Sequence, residues 1–160
     1  MRFYIKQKVF SLKDKFKITD EFQNAIYEVK GKIMSLSNRL ELLDLSENVL
    51  YKSHRKVFAL FAKYQIFKPN GESVAFIKRK FSLRPNFHLT ILGRSMDVEG
   101  SLFAHAFDII DDGKVVASIR KKIISWGDTY EIEINDTNHA ELYLFVIIIL
   151  DQVLHEKKHS

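Results

Sequence analysis

Short alternations of apolar and polar residues recur along the first 135 positions and predict β-strands. The segment TYEIEI places Tyr130, Ile132 and Ile134 on one face and two glutamates on the other. The segment FHLTI at 87–91 repeats this pattern. We count about ten to twelve strand-like segments at short, regular spacing, which is typical of a β-sandwich or a barrel.

Two of the turn signals between these segments are strong. Pro69-Asn70-Gly71 separates the apolar run at 57–67 from the run that begins at Ser73. The sequence DDGK at 111–114 joins AFDII to VVASI in the same way. Asn-Gly and Asp-Gly tolerate the positive φ angles of tight hairpins, so both sites are predicted to be hairpin turns.

The last apolar run, Leu142–Leu150, is nine residues long and lies between Glu141 and Asp151. A transmembrane helix needs about 20 mostly apolar residues, which makes a membrane span a poor interpretation. Asn138 is a good N-cap, and Glu141 follows it at capping-box spacing. We therefore predict a helix over about 139–156.

This predicted helix is apolar on all sides of its middle, so it must be buried on every side. In an otherwise all-β chain, the dry place that encloses a helix is the inside of a closed sheet, and a barrel of ten or more strands is wide enough. The alternative is a helix exposed for a partner. Asp151 is expected to mark the barrel mouth, where its carboxylate meets a backbone donor or a basic side chain. The length of 160 residues favours a single domain, 1–160.

The C-terminal stretches SWGDTYEIEI and ELYLFVIIILDQVLHE resemble the signature of the LURP-one-related family and its bacterial relatives. GSLFAHAFDIIDDGKVVASIRKKI is similar to that family's penultimate hairpins, and MRFYIKQKVFSLKDKFKITDE to its opening strands. The resemblance implies a mainly β fold like the tubby C-terminal domain and the phospholipid scramblases. That fold is a roughly twelve-stranded closed antiparallel barrel enclosing a hydrophobic C-terminal helix. Tubby relatives bind phosphoinositides, and the scramblases act at membranes with calcium.

Composition removes several kinds of chemistry. The chain has no cysteine, which excludes disulfides and thiolate sites. The N-terminus lacks the apolar segment of a secretory signal, so a cytoplasmic location is expected. No catalytic, phosphate-loop or metal-binding motif is recognisable, and we expect a non-enzymatic protein without a metal or cofactor. His105 alternates with Phe103 and Phe107, which favours a hydrogen-bonded core histidine over a catalytic base.

Basic residues are concentrated in the first half of the chain. Residues 1–80 hold 17 Lys/Arg against 8 Asp/Glu, whereas residues 81–160 hold 8 against 12. On strands, several basic side chains share a face, whereas Arg79 and Lys121 point the opposite way unless a bulge or a strand end lies there. The predicted anion or headgroup site consists of Lys13, Lys15, Lys17, Lys78, Lys80, Arg120 and Lys122.

These features favour a binding module for an anionic ligand, with a phospholipid headgroup at the inner membrane face as the best hypothesis. The alternative is a protein-interaction or structural module, and an enzyme with a site at the barrel mouth ranks third. Nucleic acid is disfavoured as a partner, because the second half is acidic and no nucleic-acid-binding motif is present.

Overall fold

A computed structural model describes residues 1–6, 15–31, 39–56, 63–80 and 86–155, with side chains through Asp151. This part of the chain forms twelve strands, one short 3₁₀ turn and one α-helix. The elements are β1 (Arg2–Lys6), β2 (Lys15–Thr19), β3 (Ala25–Gly31), β4 (Leu40–Leu43), β5 (Val49–Lys56), β6 (Lys63–Phe67), β7 (Ser73–Arg79), β8 (Phe87–Ile91), β9 (Arg94–Ser101), β10 (Ala106–Asp111), β11 (Lys114–Ile124), β12 (Gly127–Ile134), the 3₁₀ turn (Thr137–His139) and α1 (Ala140–His155).

The twelve strands form a closed antiparallel barrel in which each strand pairs with its neighbours in sequence. The last strand closes the barrel on the first, since β12 runs antiparallel to β1 with Phe3 opposite Ile132. Closure removes the unpaired sheet edges that would otherwise invite aggregation. The predicted mainly β, twelve-stranded barrel with a C-terminal helix is confirmed.

Alternation along the strands builds the barrel core. In β8, Phe87, Leu89 and Ile91 point inward and are buried, while the residues between them are half-buried on the outer face. The inner faces surround α1, whose residues from Leu142 to Asp151 include none that is exposed. The helix therefore fills the barrel, and the alternative of an exposed helix is wrong.

The start of α1 differs from the predicted capping box. The cap belongs to Asp136, whose carboxylate accepts a hydrogen bond from the Asn138 N–H at 3.2 Å, so Asn138 lies inside the 3₁₀ turn. Glu141 does not reach back toward Asn138. Its carboxylate accepts a hydrogen bond from the Tyr27 hydroxyl at 2.9 Å and so joins the helix to β3.

Tight turns connect the strands at one end of the barrel. In the β2–β3 turn, Asp20 Oδ1 accepts two backbone N–H bonds of 2.8 Å. Asp44 repeats the arrangement in the β4–β5 turn with two bonds of 2.9 Å. Asn70-Gly71 closes β6–β7 and Asp112-Gly113 closes β10–β11, as predicted from the sequence. We call this the turn end.

The helix runs from the turn end to the opposite end of the barrel. Antiparallel order places the connections β1–β2, β3–β4, β5–β6, β7–β8, β9–β10 and β11–β12 at that opposite end. Asp151, in the last part of α1, meets His105 of the β9–β10 connection there. The position predicted for Asp151, at the barrel mouth, is confirmed.

Candidate functional site

Basic residues occupy successive strand termini at the end of the barrel where α1 finishes. Lys6 ends β1 and Lys15 begins β2. Lys56 ends β5, Lys63 begins β6, and Arg79 ends β7 immediately before Lys80. We call this the basic end. The turn end is richer in carboxylates. Its turns carry Asp20, Glu21, Asp44, Glu47, Glu72 and Asp112, beside the cations Lys68, Arg94 and Lys114.

Four of the groups at the basic end lie side by side across the outer face of the sheet. Lys56 is directly opposite Lys63, Lys63 is opposite Lys78, and Lys78 is opposite His88. Adjacent strands are about 4.8 Å apart, so the backbones of the three lysines lie within roughly 10 Å. We call Lys56, Lys63 and Lys78 the cation row, and His88 lies at its end.

In register with the cation row, Asp97 on β9 lies directly opposite His88. No carboxylate of the described residues lies within ion-pair distance of Lys56, Lys63 or Lys78. The Lys63 ammonium instead lies over the Phe76 ring, 5.4 Å from its centroid. Like charges directly opposite on a sheet are destabilising, so fold stability alone does not favour this arrangement. An anion held across the row would offset that repulsion.

Three of the residues predicted from the sequence as binding groups pair with carboxylates instead. Lys15 Nζ lies 2.7 Å from Glu28 Oε1. Arg120 Nη2 lies 2.7 Å from Asp108 Oδ1, and the same guanidinium donates to two backbone carbonyls. Lys122 Nζ lies 2.6 Å from Glu131 Oε1. These three cations therefore tie neighbouring strands together on the outer face.

The structure does not gather all the predicted residues into one cluster. Lys17 is exposed on β2, Lys78 and Lys80 are exposed at the end of β7, and Arg120 and Lys122 are on β11. In the barrel order, β7 lies four strands from β11 and five from β2. Lys13 lies outside the described residues. Arg79 is the last residue of β7. The prediction that its side chain points to the opposite face had allowed for a strand end at this position.

Sequence reasoning missed Lys56, Lys63 and His88 as members of the site. They lie on three different strands, and their proximity to Lys78 depends on cross-strand register. In the sequence, Lys56 adjoins the apolar run at 57–67, Lys63 lies within that run, and His88 is on the polar face of the segment at 87–91. Register between strands is set by turn geometry and bulges, which a single sequence specifies weakly.

A buried histidine–aspartate pair lies at the same end of the barrel. His105 Nδ1 is 2.5 Å from Asp151 Oδ1, and Asp151 is completely buried. The His105 ring packs on Tyr130 with 4.6 Å between ring centroids. Burial, followed by the nearby Asp151 charge, raises the pKa of Tyr130 to about 12. The predicted hydrogen-bonded histidine is confirmed, but His105 lies in a turn with φ of +52°, not in a strand.

The family model for LURP-one-related proteins matches residues 1–151. The chain belongs to the LURP-one-related family. It is 31% identical over 153 residues to the uncharacterized protein YxjI of Bacillus subtilis (strain 168), with 95% of this chain and 93% of that protein covered. The predicted family resemblance is confirmed.

The fold of this LURP-one-related barrel is also similar to a solved structure. The X-ray structure of a protein from Arabidopsis thaliana superposes with a TM-score of 0.68 at 18% identity. The match covers 95% of this chain and 90% of that one, and shows a shared fold. Within the described residues, no helix combines the length and apolarity that crossing a bilayer requires.

Proposed function

We propose that this LURP-one-related barrel is a non-enzymatic module that binds anionic phospholipid headgroups, with the basic end turned toward the inner face of the membrane. The cation row is the observation that supports this proposal most directly. Lys56, Lys63 and Lys78 lie in register, and no described carboxylate pairs with them. Neighbouring ammonium groups of this kind attract phosphate oxygens by charge, without needing a closed pocket.

The difference in charge between the two ends supports an oriented encounter. Strand termini at the basic end carry lysine and arginine, and the turns at the other end carry carboxylates. An anionic surface attracts the first and repels the second. Because the Debye length is about 8–10 Å at ordinary ionic strength, the orienting effect operates near the surface and weakens with salt.

The His105–Asp151 pair fits a structural role within this proposal. Its hydrogen bond joins the β9–β10 connection to α1, and the histidine side chain is largely buried. A catalytic base needs access to a substrate proton, which this packing restricts. We therefore assign the pair to holding the barrel mouth together.

Co-sedimentation with vesicles tests the proposal. The protein is mixed with phosphatidylcholine vesicles and with phosphatidylcholine–phosphatidylserine vesicles, each at low and high salt. We expect sedimentation with the anionic vesicles at low salt and its loss at high salt. A second arm adds inorganic phosphate or a soluble polyphosphate at low salt. Binding of that soluble anion, measured by isothermal titration calorimetry, together with no vesicle binding would identify a soluble anion as the ligand, and binding to neither would contradict the proposal.

A further inference from the structure

Two large apolar side chains project from the basic end into solvent. Phe103, in the β9–β10 connection, is 62% exposed, and Ile123, near the end of β11, is 82% exposed. Both connections, β9–β10 and β11–β12, lie at the end of the barrel where α1 finishes. These side chains take no part in the cation row or in the barrel core.

The exposure of Phe103 is built into its loop. Leu102, next to it, is buried in the core. The Ser101 hydroxyl accepts a hydrogen bond from the Ala104 N–H at 3.2 Å, and the His105 N–H donates to the Leu102 carbonyl at 3.2 Å. His105 is fixed in turn by Asp151. The loop is therefore anchored on both sides of Phe103 and holds that ring outward.

Ile123 is held in solvent by its hairpin, whose end is exposed. It lies opposite Asp128 in the β11–β12 ladder, and Lys121 on the same strand pairs with Asp128 at 3.3 Å. Lys122 pairs with Glu131 on the other face of the hairpin. These two ion pairs hold β11 against β12, so the exposed Ile123 side chain lies on an ordered hairpin.

We infer that the barrel docks end-on to an anionic bilayer, with Phe103 and Ile123 inserted at the boundary between headgroups and acyl chains. The inference rests on the proposed function and names how that surface is engaged. Charge complementarity selects the bilayer as the occupant, because the same end carries the cation row and basic strand termini. Apolar insertion beside electrostatic attraction is the combination that gives stable binding to a membrane surface.

The chain contains a natural reporter for this geometry. Trp126 is its single tryptophan and lies in the turn of the hairpin that carries Ile123. The indole is half-buried, with its ring at 5.4 Å from the Tyr4 ring in an edge contact. End-on docking brings this turn to the lipid interface, whereas docking through the turn end leaves it in water.

Intrinsic fluorescence with brominated lipid tests the inference. Vesicles of phosphatidylserine and phosphatidylcholine are prepared with and without bromine on the acyl chains. We expect the Trp126 emission to shift to the blue on binding and to be quenched by the brominated lipid. Replacing both anchors, Phe103→Ser with Ile123→Ser, is expected to weaken vesicle binding by roughly tenfold or more, since two apolar side chains lose their burial.

Phe22 supplies the matched control. It is 76% exposed in the β2–β3 turn, so Phe22→Ser removes a comparable side chain from the turn end, opposite to the proposed docking surface. Vesicle affinity should be unchanged in that variant. Circular dichroism checks that all the variants stay folded.

Three outcomes would overturn the inference. Sedimentation with anionic vesicles without quenching of Trp126, and with full binding by the double variant, would mean docking through another face, and the proposed function would survive. If the unmodified protein does not sediment with anionic vesicles at low salt, both the end-on docking and the proposed function are contradicted. If light scattering shows a dimer for the unmodified protein and a monomer for the double variant, Phe103 and Ile123 contact a second copy of the chain.

Discussion

The residue that the helix alone does not explain is Asp151. A carboxylate inside a barrel is costly unless a donor meets it, and His105 supplies that donor across 46 positions of sequence. His105 lies in the β9–β10 connection with a positive φ of +52°, and its ring meets Asp151 of α1. The sequence predicted that Asp151 would need a partner. It could not identify which of the donors at the mouth would be placed correctly.

Replacing His105 by leucine should destabilise the protein by about 3–5 kcal/mol, because the buried carboxylate then loses the group that compensates it. The double variant His105→Leu with Asp151→Leu should recover most of that loss, since it removes the charge together with its partner. Urea denaturation measures both free energies of unfolding. Equal losses in the single and double variants would contradict this account, because the uncompensated carboxylate would then not be the cause of the loss.

Among the elements, the strands were more predictable than their alignment. Alternation and the Asn-Gly and Asp-Gly turns indicated individual hairpins correctly, because turn chemistry is local. Bulges at Ile109/Ile110, Leu42/Leu43 and Ile66/Phe67 shift register between strands, and no local pattern marks them. The cation row is a product of that register. Lys78 was therefore predicted as a binding residue, while Lys56 and Lys63 were not.

At Gly100, β9 and β10 approach each other closely. A Cβ at this position would lie 2.5 Å from the Ala106 carbonyl oxygen, and φ is +113°. Gly71 has a similar φ of +89° with nothing near its Cβ. Gly71→Ala should cost about 1–2 kcal/mol from backbone strain alone, and Gly100→Ala clearly more. Equal losses in thermal or urea unfolding would mean that the contact relaxes at no cost.

At the scale of the whole molecule, the apolar C-terminal run was the most informative feature of the sequence. Its shortness made a membrane span a poor interpretation, and its all-round apolarity favoured an enclosure by the strands over a helix exposed for a partner. The division of charge between the two ends of the barrel was partly visible as a basic first half. The sequence did not show that this charge difference runs along the barrel axis, because that depends on which strand connections share an end.

Three tyrosines, on β3, β12 and α1, predict a limit to stability at high pH. Burial raises the pKa of Tyr27, Tyr130 and Tyr143 to about 12, from an ordinary value of 10.0. A raised folded-state pKa gives stability that is fully present below pH 10 and is lost as the pH rises toward about 12. Tyrosinate absorbance at 295 nm and circular dichroism should therefore change together in this range. Ionisation of all six tyrosines near pH 10 in a folded protein would contradict the burial.

The most direct test of the central claim compares two triple variants that remove the same charge from opposite ends of the barrel. One replaces Lys56, Lys63 and Lys78 of the cation row by glutamine. The control replaces Arg2, Lys68 and Lys114, which lie toward the turn end, in the same way. Vesicle affinity is measured for both with anionic lipid at low salt. We predict a loss of at least about tenfold for the cation-row variant and a small change for the control. Equal losses would show that net charge, and not the basic end, governs binding, and this would contradict the proposed function.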